Sequence, residues 1–474
     1  MPTLNPPSLH LHRGLLGEAP AQRLLQAVLQ VAARRSPGAE VEAGLTTSAE
    51  ALTRFAHSAI HQNVAEYDAE LDVRVAVGGR AGWCVGSAST NDLSPLGLER
   101  VVDLAAAEAR HGPARADWPG LPAPAQRPAA SPAPLAFDTA AAAAAPGWRA
   151  GLVGELCAQA RGAGLLASGA LATAAGETAL LNSHGLWAYA PATSVDLTFV
   201  LESSAEGASA YAHTAGWRLD QLDAAALTAD AIRRAQAGRQ PRRVRAREYP
   251  VVLAPYAVVP LLDALAEAGM GALAVQEARS WMNGRLGRPS LAPALTITDD
   301  AFDPQGRPQA FDCEGVPKQR VPIVVNGMPT SPVYDRATAA REAGRTSTGH
   351  AQPYDAEDWD GPLPENLSLA AGEADEADLL AAVGRGLYIT RVWYVNMVSP
   401  HDCAVTGTTR DGVWWIEGGE LAYPVNNLRF DQSLVEALAR VRGVGRQRRT
   451  VAGYFGGVAR VPALALESFR FIEP

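Results

Sequence analysis

Residues 261–281, LLDALAEAGMGALAVQEARSW, read as one long helix of small and apolar side chains. Within it Glu267 stands between Ala266 and Gly271. With histidine at those two flanking positions the segment would be a zinc-peptidase helix. Such a helix needs two neutral imidazoles directed at one metal, and a carboxylate that takes a proton from the metal-bound water. Alanine has no lone pair to donate and glycine has no side chain. Ala266 and Gly271 therefore cannot ligate zinc. Without an activated water, Glu267 is idle as a peptidase base and reads as an ordinary helix-surface or interdomain carboxylate.

The chain around this helix has 474 residues, 47% hydrophobic and 19% charged, with a net charge of −9. At roughly 150 residues per domain this predicts two or three packed units, and the composition is the opposite of a disordered chain. A dispersed negative charge argues against nucleic-acid binding, which needs concentrated cations. The one basic run, Arg242, Arg243, Arg245 and Arg247, falls in an expected connector. Of 41 basic residues only Lys318 is a lysine. Cys84, Cys157, Cys313 and Cys403 form no CxxC pair, so neither a zinc knuckle nor a small disulfide framework is expected. No run of about 18 apolar residues occurs, and the N-terminus has no apolar targeting core; the expectation is a soluble, cytoplasmic protein.

Three units are expected, at 1–118, 119–240 and 241–474. In the first, apolar spacing at Leu24, Leu25, Val28, Leu29 and Ala32 predicts a helix over 21–35. Leu71, Val73, Val75 and Val77 then alternate outward and Ala81, Trp83 and Val85 alternate back, with Gly78-Gly79 expected to form the hairpin turn. A helix through Ala105–Ala109 follows. WPGLPAPAQRPAASPAP (118–134) reads as an extended linker, and a helix over 148–164 leads to strands such as SVDLTFVLES (194–203). From YPVVLAP (249–255) onward the pattern is strand, the opening helix, then mainly strands, including GRGLYITRVWYVNMV (384–398), GVWWIEGGELAYPV (412–425) and VPALALESFRFI (461–472). Helices and strands cluster instead of alternating. That predicts an α+β fold, with N-terminal α/β units and a larger β-rich C-terminal domain.

Other chemistry-bearing motifs are sparse. His57 and His61 have helical metal spacing but lie in RFAHSAIHQN, which reads as two strands around a turn. Asp299, Asp300 and Asp303 miss the calcium-loop spacing and read as a solvated turn. No GxSxG elbow or phosphate-binding GxxxxGK[ST] loop is present.

The order of several segments resembles the TldD/PmbA family, also called modulators of DNA gyrase. In the C-terminal unit these are SWMNGRLGRP (280–289), LTITDD (295–300), FDCEGVP (311–317), RTSTGH (345–350), GLYITRVWYVNMV (386–398) and TGTTRDGVWWIEGGELAYPV (406–425). RFAHSAIHQN (54–63) and VRVAVGGRAGWCVGSASTNDLS (73–94) extend the resemblance into the first unit. It implies a choice between two kinds of subunit. TldD-like members hold zinc through an HExxxH helix and a cysteine loop near the C-terminus; TldE (PmbA-like) members lack these ligands and pair with a TldD-like subunit. Here Ala266 and Gly271 stand at both histidine positions, and VAGYFGGVARVPALAL (451–466) stands without cysteine where the loop would be. The chain is thus similar to the TldE side.

The resemblance further implies a heterodimeric metalloprotease that degrades or trims unfolded or leader peptides, with no cofactor in this chain and zinc in the partner. Arg345, Thr406, Thr409 and Arg410, expected in loops, are candidate contacts to peptide or partner. Trp393, Tyr394, Trp414 and Trp415 are candidate interface anchors. Two other readings fit the same residues: a hydrolase using Cys84 or Cys403 as nucleophile, and a homodimeric peptide-binding protein.

Overall fold

Alternation along residues 71–75 buries one face of a strand, with Leu71, Val73 and Val75 all at 1% exposure or less. That face belongs to an antiparallel sheet of seven strands in a computed structural model, which describes residues 15–79, 82–115, 118–124, 136–203, 207–353, 361–453 and 457–473. The strands are β1 (Glu40–Ala56), β2 (Ala59–Gly79), β3 (Gly82–Thr90), β4 (Ala114–Arg115), β5 (Leu166–Asn182), β6 (Trp187–Ser203) and β7 (Ala208–Gly216), in the spatial order β4-β3-β2-β1-β5-β6-β7. β1 pairs with β5 from Glu42–Asn182 to Phe55–Gly169. The units expected at 1–118 and 119–240 therefore share one sheet. Each half leaves a long strand edge that would otherwise be unpaired, and joining β1 to β5 satisfies both.

Four helices cover one face of this sheet. Glu18–Arg35 and Pro95–His111 pack over Val41, Ala43, Leu45 and Leu71; Pro146–Gly162 and Ala224–Ala237 pack over Phe55, Leu171 and Leu197. The opposite face meets the C-terminal unit. There Tyr256 Oη donates to the His213 carbonyl at 2.8 Å, and the Arg391 guanidinium lies 3.7 Å from the centroid of the Tyr211 ring. The expected turn at Gly78-Gly79 is displaced. Both glycines pair inside the ladder, with Trp83 and Gly82. A Cβ at Gly78 would lie 3.3 Å from the Trp83 ring, a tight contact. Residues 80–81 lie outside the described residues, as does 125–134 of the expected linker. Its first part is anchored: the Trp118 indole and Leu121 N–H both donate to Glu40 Oε2.

The C-terminal sheet has eleven strands: β8 (Glu248–Leu253), β9 (Ile297–Asp299), β10 (Val321–Val325), β11 (Met328–Pro329), β12 (Asn366–Leu369), β13 (Arg385–Ser399), β14 (Ala404–Glu417), β15 (Glu420–Val425), β16 (Arg429–Ser433), β17 (Val441–Ala452) and β18 (Val458–Ile472). The path β18-β16-β14-β13-β8 closes on itself, because β8 also pairs with β18. β8–β13 and β12–β18 are parallel and the other ladders antiparallel. The fold is α+β.

Helix Pro255–Glu267 packs against β13, β17 and β18. Almost every residue from Tyr256 to Ala266 is buried, as expected of a helix that is apolar all round. It does not continue to residue 281. It ends at Glu267, and a separate short helix spans Ala272–Gln276. Between them Val333 N–H donates to the Met270 carbonyl and Ala272 N–H to the Val333 carbonyl, both at 2.9 Å. The extended pairing takes these backbone groups out of the helix. Ser280 and Trp281 secure the break: Ser280 Oγ donates to the Gly269 carbonyl at 2.7 Å, and the buried Trp281 indole donates to the Leu265 carbonyl at 2.8 Å. Among the described residues no helix is long and apolar enough to cross a membrane.

Candidate functional site: a cleft at the end of the buried helix

Helix Pro255–Glu267 delivers Asp263, Ala266 and Glu267 to one cleft, together with Gln352, Leu363, Glu365, Gly453 and Gly457. The cleft's free space, counting the solvent at its mouth, is about 470 Å3. Gly453 N–H donates to the Gly457 carbonyl at 2.9 Å, joining the two ends of the segment that stands where the family's cysteine loop is expected. Tyr454 and Phe455 of that loop lie outside the described residues. The helix positions and the base of this loop thus converge on one cavity.

The residues present do not fit zinc. Zinc takes about four nitrogen, sulfur or carboxylate ligands in tetrahedral geometry. Ala266 is 5% exposed and offers only a methyl group. Gly271 has left the helix, and a Cβ there would lie 2.1 Å from the Pro362 carbonyl oxygen, so no side chain fits without moving backbone. Among the described residues, no three His, Cys, Asp or Glu side chains are grouped to hold a metal ion. His57 and His61 are no exception. His57 occupies the left-handed turn between β1 and β2, and His61 is exposed on β2.

Beside the cleft lies a buried polar knot built from three of the family-like segments. Asp299, expected in a solvated turn, is fully buried at the end of β9. Its Oδ2 accepts from Glu365 N–H at 2.7 Å and Asn366 N–H at 2.8 Å, and its Oδ1 lies 3.0 Å from His350 Nε2. His350 Nδ1 meets Thr348 Oγ1 at 2.9 Å. Burial pushes the Asp299 carboxyl up, but His350, Lys318 and the Asn366 amide outweigh it and hold the group below the usual carboxylate range. Lys318, the sole lysine, has a fully buried side chain paired with the Glu365 carboxylate. Burial disfavours its charge, yet Glu365 and Asp299 keep the ammonium above its ordinary value.

The FDCEGVP turn completes the knot. Asp312 Oδ1 accepts from Glu314 N–H and Val316 N–H at 3.0 Å, and its Oδ2 accepts from Ala351 N–H at 2.9 Å. The turn is pressed against the N-terminal sheet, since a Cβ on Gly315 would lie 2.7 Å from Leu186. Burial and then the Asp312 carboxylate push Glu314 up to about 8. The sequence pattern held only a faint signal for this knot, that the single lysine closes the FDCEGVP segment.

The candidate contact residues do not come together. Arg345 lies in a turn, 3.5 Å from Glu342 and stacked over Tyr334. Thr406, Thr409 and Arg410 are on β14, not in loops. Thr409 is 1% exposed and accepts from Leu428 N–H, and Thr406 donates to the Phe430 carbonyl; both serve the strand. Arg410 is half exposed and lies over the Trp393 ring. Trp414 and Trp415 are both buried, against the expectation that strand neighbours put one outside the core. Trp415 packs edge-on to Tyr249 in the core, and Trp414, on the other face, lies beside Gly238 at the end of helix Ala224–Ala237. Trp393 and Tyr394 are exposed, at a β13 irregularity where Tyr394 has φ 57°.

Neither thiol suits the nucleophile reading. Cys403 is fully buried with Sγ facing the Ala264 carbonyl, and burial together with Glu267 pushes its pKa well above the ordinary thiol value. A thiol held protonated does not attack. Cys84 is a β3 ladder residue paired with Val77 and Ala114.

Residues 246–473 match the family model of the PmbA/TldA metallopeptidase C-terminal domain. Across the chain, metalloprotease PmbA of Escherichia coli O157:H7 is 26% identical over 467 residues, covering 94% of this chain and 95% of that protein. A metalloprotease TldD homolog of Haemophilus influenzae is 25% identical over 163 residues, covering 34% of this chain and 33% of that one. TldE of Thermococcus kodakarensis has a similar fold, with a TM-score of 0.82 at 19% identity, covering 95% and 99% of the two chains. A Thermotoga maritima protein described as a modulator of a DNA gyrase also scores 0.82, at 18% identity, covering 95% and 100%. The C-terminal unit's match to this family model, the chain-long sequence similarity to PmbA and the shared fold together support placing this chain with the TldD/PmbA family.

Proposed function

We propose that this chain is the non-catalytic, TldE/PmbA-like subunit of a heterodimeric metalloprotease acting in the cytoplasm on unfolded or leader peptides. The zinc and the hydrolytic chemistry belong to a TldD-like partner. The observation that carries this reading is the Gly271–Pro362 contact. A zinc helix that had lost only its ligand side chains would keep their space. Here the helix has ended and backbone occupies the space of the second ligand.

The role left to the chain is to wall the chamber and hold peptide. Extended peptides are commonly held by strand addition, which tolerates varied sequence. Exposed Trp393, Tyr394 and Val398 on β13 supply the apolar surface that partner interfaces favour, and Arg345 and Arg410 are the exposed cations among the candidate contacts. Co-expression with a TldD-like protein carrying HExxxH tests the assignment. A complex that cleaves peptide where neither chain alone does supports it; full proteolysis by this chain alone overturns it.

A further inference from the structure

Between the two pairs of helices on the N-terminal sheet lies a gap floored by alanines. Ala49, Ala51, Ala65, Thr173 and Ala175 share this face, with Tyr67 at the rim and the run Ala141–Pro146 as the far wall. The cleft is open to solvent, with about 760 Å3 of free space counting the solvent at its mouth. Arg149, from helix Pro146–Gly162, lines it and is only 1% exposed.

The bonding of Arg149 is incomplete in a particular way. Nη1 donates to the Ala144 carbonyl at 2.9 Å and to Thr173 Oγ1 at 3.1 Å. Nε and Nη2 are buried and have no hydrogen-bond partner among the described residues. Burial alone pulls the guanidinium below its usual pKa, and no carboxylate among the described residues counters it. A buried, unpaired cation is costly, and native chains normally supply an anion. The start of the same helix adds to the field: its N-cap is Ala145, which has no side chain able to cap, so the positive end of a 17-residue helix faces this region uncapped.

We infer that the cleft is a binding site for a singly charged carboxylate carrying a small apolar group, held bidentately by Nε and Nη2 of Arg149, an edge that is buried in the unliganded chain and turns toward the cleft to meet the ligand. These two atoms form one edge of the planar guanidinium, and their parallel N–H bonds match the two oxygens of a carboxylate. One buried cation balances one negative charge, which favours a carboxylate over a phosphate dianion. The alanine methyls and the Tyr67 ring suit a short aliphatic substituent. Both a free small carboxylic acid and the C-terminus of a peptide present this chemistry. The site lies on the helix-covered face of the sheet, away from the C-terminal cleft, and does not depend on the partner assignment.

Calorimetric titration and thermal shift of the isolated full chain test it, using propionate, tri-alanine with a free C-terminus, its C-terminal amide and inorganic phosphate. Propionate or the free-acid peptide binds and raises the Tm, and the amide does not; which of the two binds identifies the source. Arg149→Met weakens this binding about tenfold or more without lowering the Tm of the unliganded chain. Ala51→Leu, which fills the cleft and leaves the charge, weakens binding as well. Equal binding of acid and amide, binding of phosphate alone, or no response to any probe overturns the proposal. So does an Arg149→Met chain that is folded and binds propionate as wild type does.

Discussion

The Pro362 carbonyl oxygen lies 2.1 Å from the point a Cβ on Gly271 would occupy. Any side chain there displaces backbone, in a segment held on both sides by the pairing of Met270 and Ala272 with Val333. Gly271→Ala is expected to destabilise the chain by about 1–3 kcal/mol, the usual range for overpacking. Denaturant unfolding measures it. Introducing Ala266→His and Gly271→His together is expected to create no zinc site, which metal titration of the doubly substituted chain checks.

Glu267→Gln in the assembled complex is expected to leave peptide cleavage within about twofold of wild type, whereas losing a true general base costs about 10²–10⁴-fold. Initial rates on a reporter peptide, with complex formation verified by size-exclusion chromatography, separate the two.

His350 and Asp299 form a fully buried pair. Removing one member strands the other, so His350→Ala is expected to cost about 3–5 kcal/mol. Combining it with Asp299→Ala is expected to cost clearly less than the sum of the single changes. Equilibrium unfolding of the three variants gives the coupling.

Glu314 has a folded-state pKa of about 8, above its ordinary value of 4.5. A raised acid contributes stability that is complete below the ordinary value and is lost as pH rises through the raised one. Wild type is therefore expected to lose stability relative to Glu314→Gln between about pH 5 and about pH 9. Burial also raises Asp312, so part of the slope survives in the variant. Parallel melting curves across this window check the sign; a wild type that gains on the variant as pH rises contradicts it.

The aromatic residues of β13 and β14 divide into two classes with different expected readouts. Trp415, 6% exposed and edge-on to Tyr249, is core, and Trp415→Ala is expected to cost about 3–5 kcal/mol. Trp393 and Tyr394 are exposed, so replacing both by alanine is expected to change the Tm little while reducing partner association about tenfold or more. Light scattering of the mixed subunits, beside melting curves of each alone, distinguishes them.

Much of the fold was legible where a residue's environment follows from its near neighbours. The helix through Leu25 and Val28, the alternating strand through Leu71 and Val75, and the C-terminal strands all announce themselves by period. What escaped depends on contacts far along the chain. The pairing of β1 with β5 joins two units that look independent. The break after Glu267 is secured by Val333, Ser280 and Trp281, and no propensity at residues 261–276 encodes them. Asp299 looks solvated in TITDDAFDPQG and is buried only because His350 and the amides of Glu365 and Asn366 meet it. The empty ligand positions were readable from residue identity alone. That Gly271 has no space for a side chain was not.

The most direct test of the central claim is the zinc content of this chain alone and of its complex with a TldD-like partner, by elemental analysis after stripping and reloading. The account predicts no retained zinc in the isolated chain and one zinc per heterodimer, with proteolysis following the partner's metal. One tightly held zinc per isolated chain would contradict it.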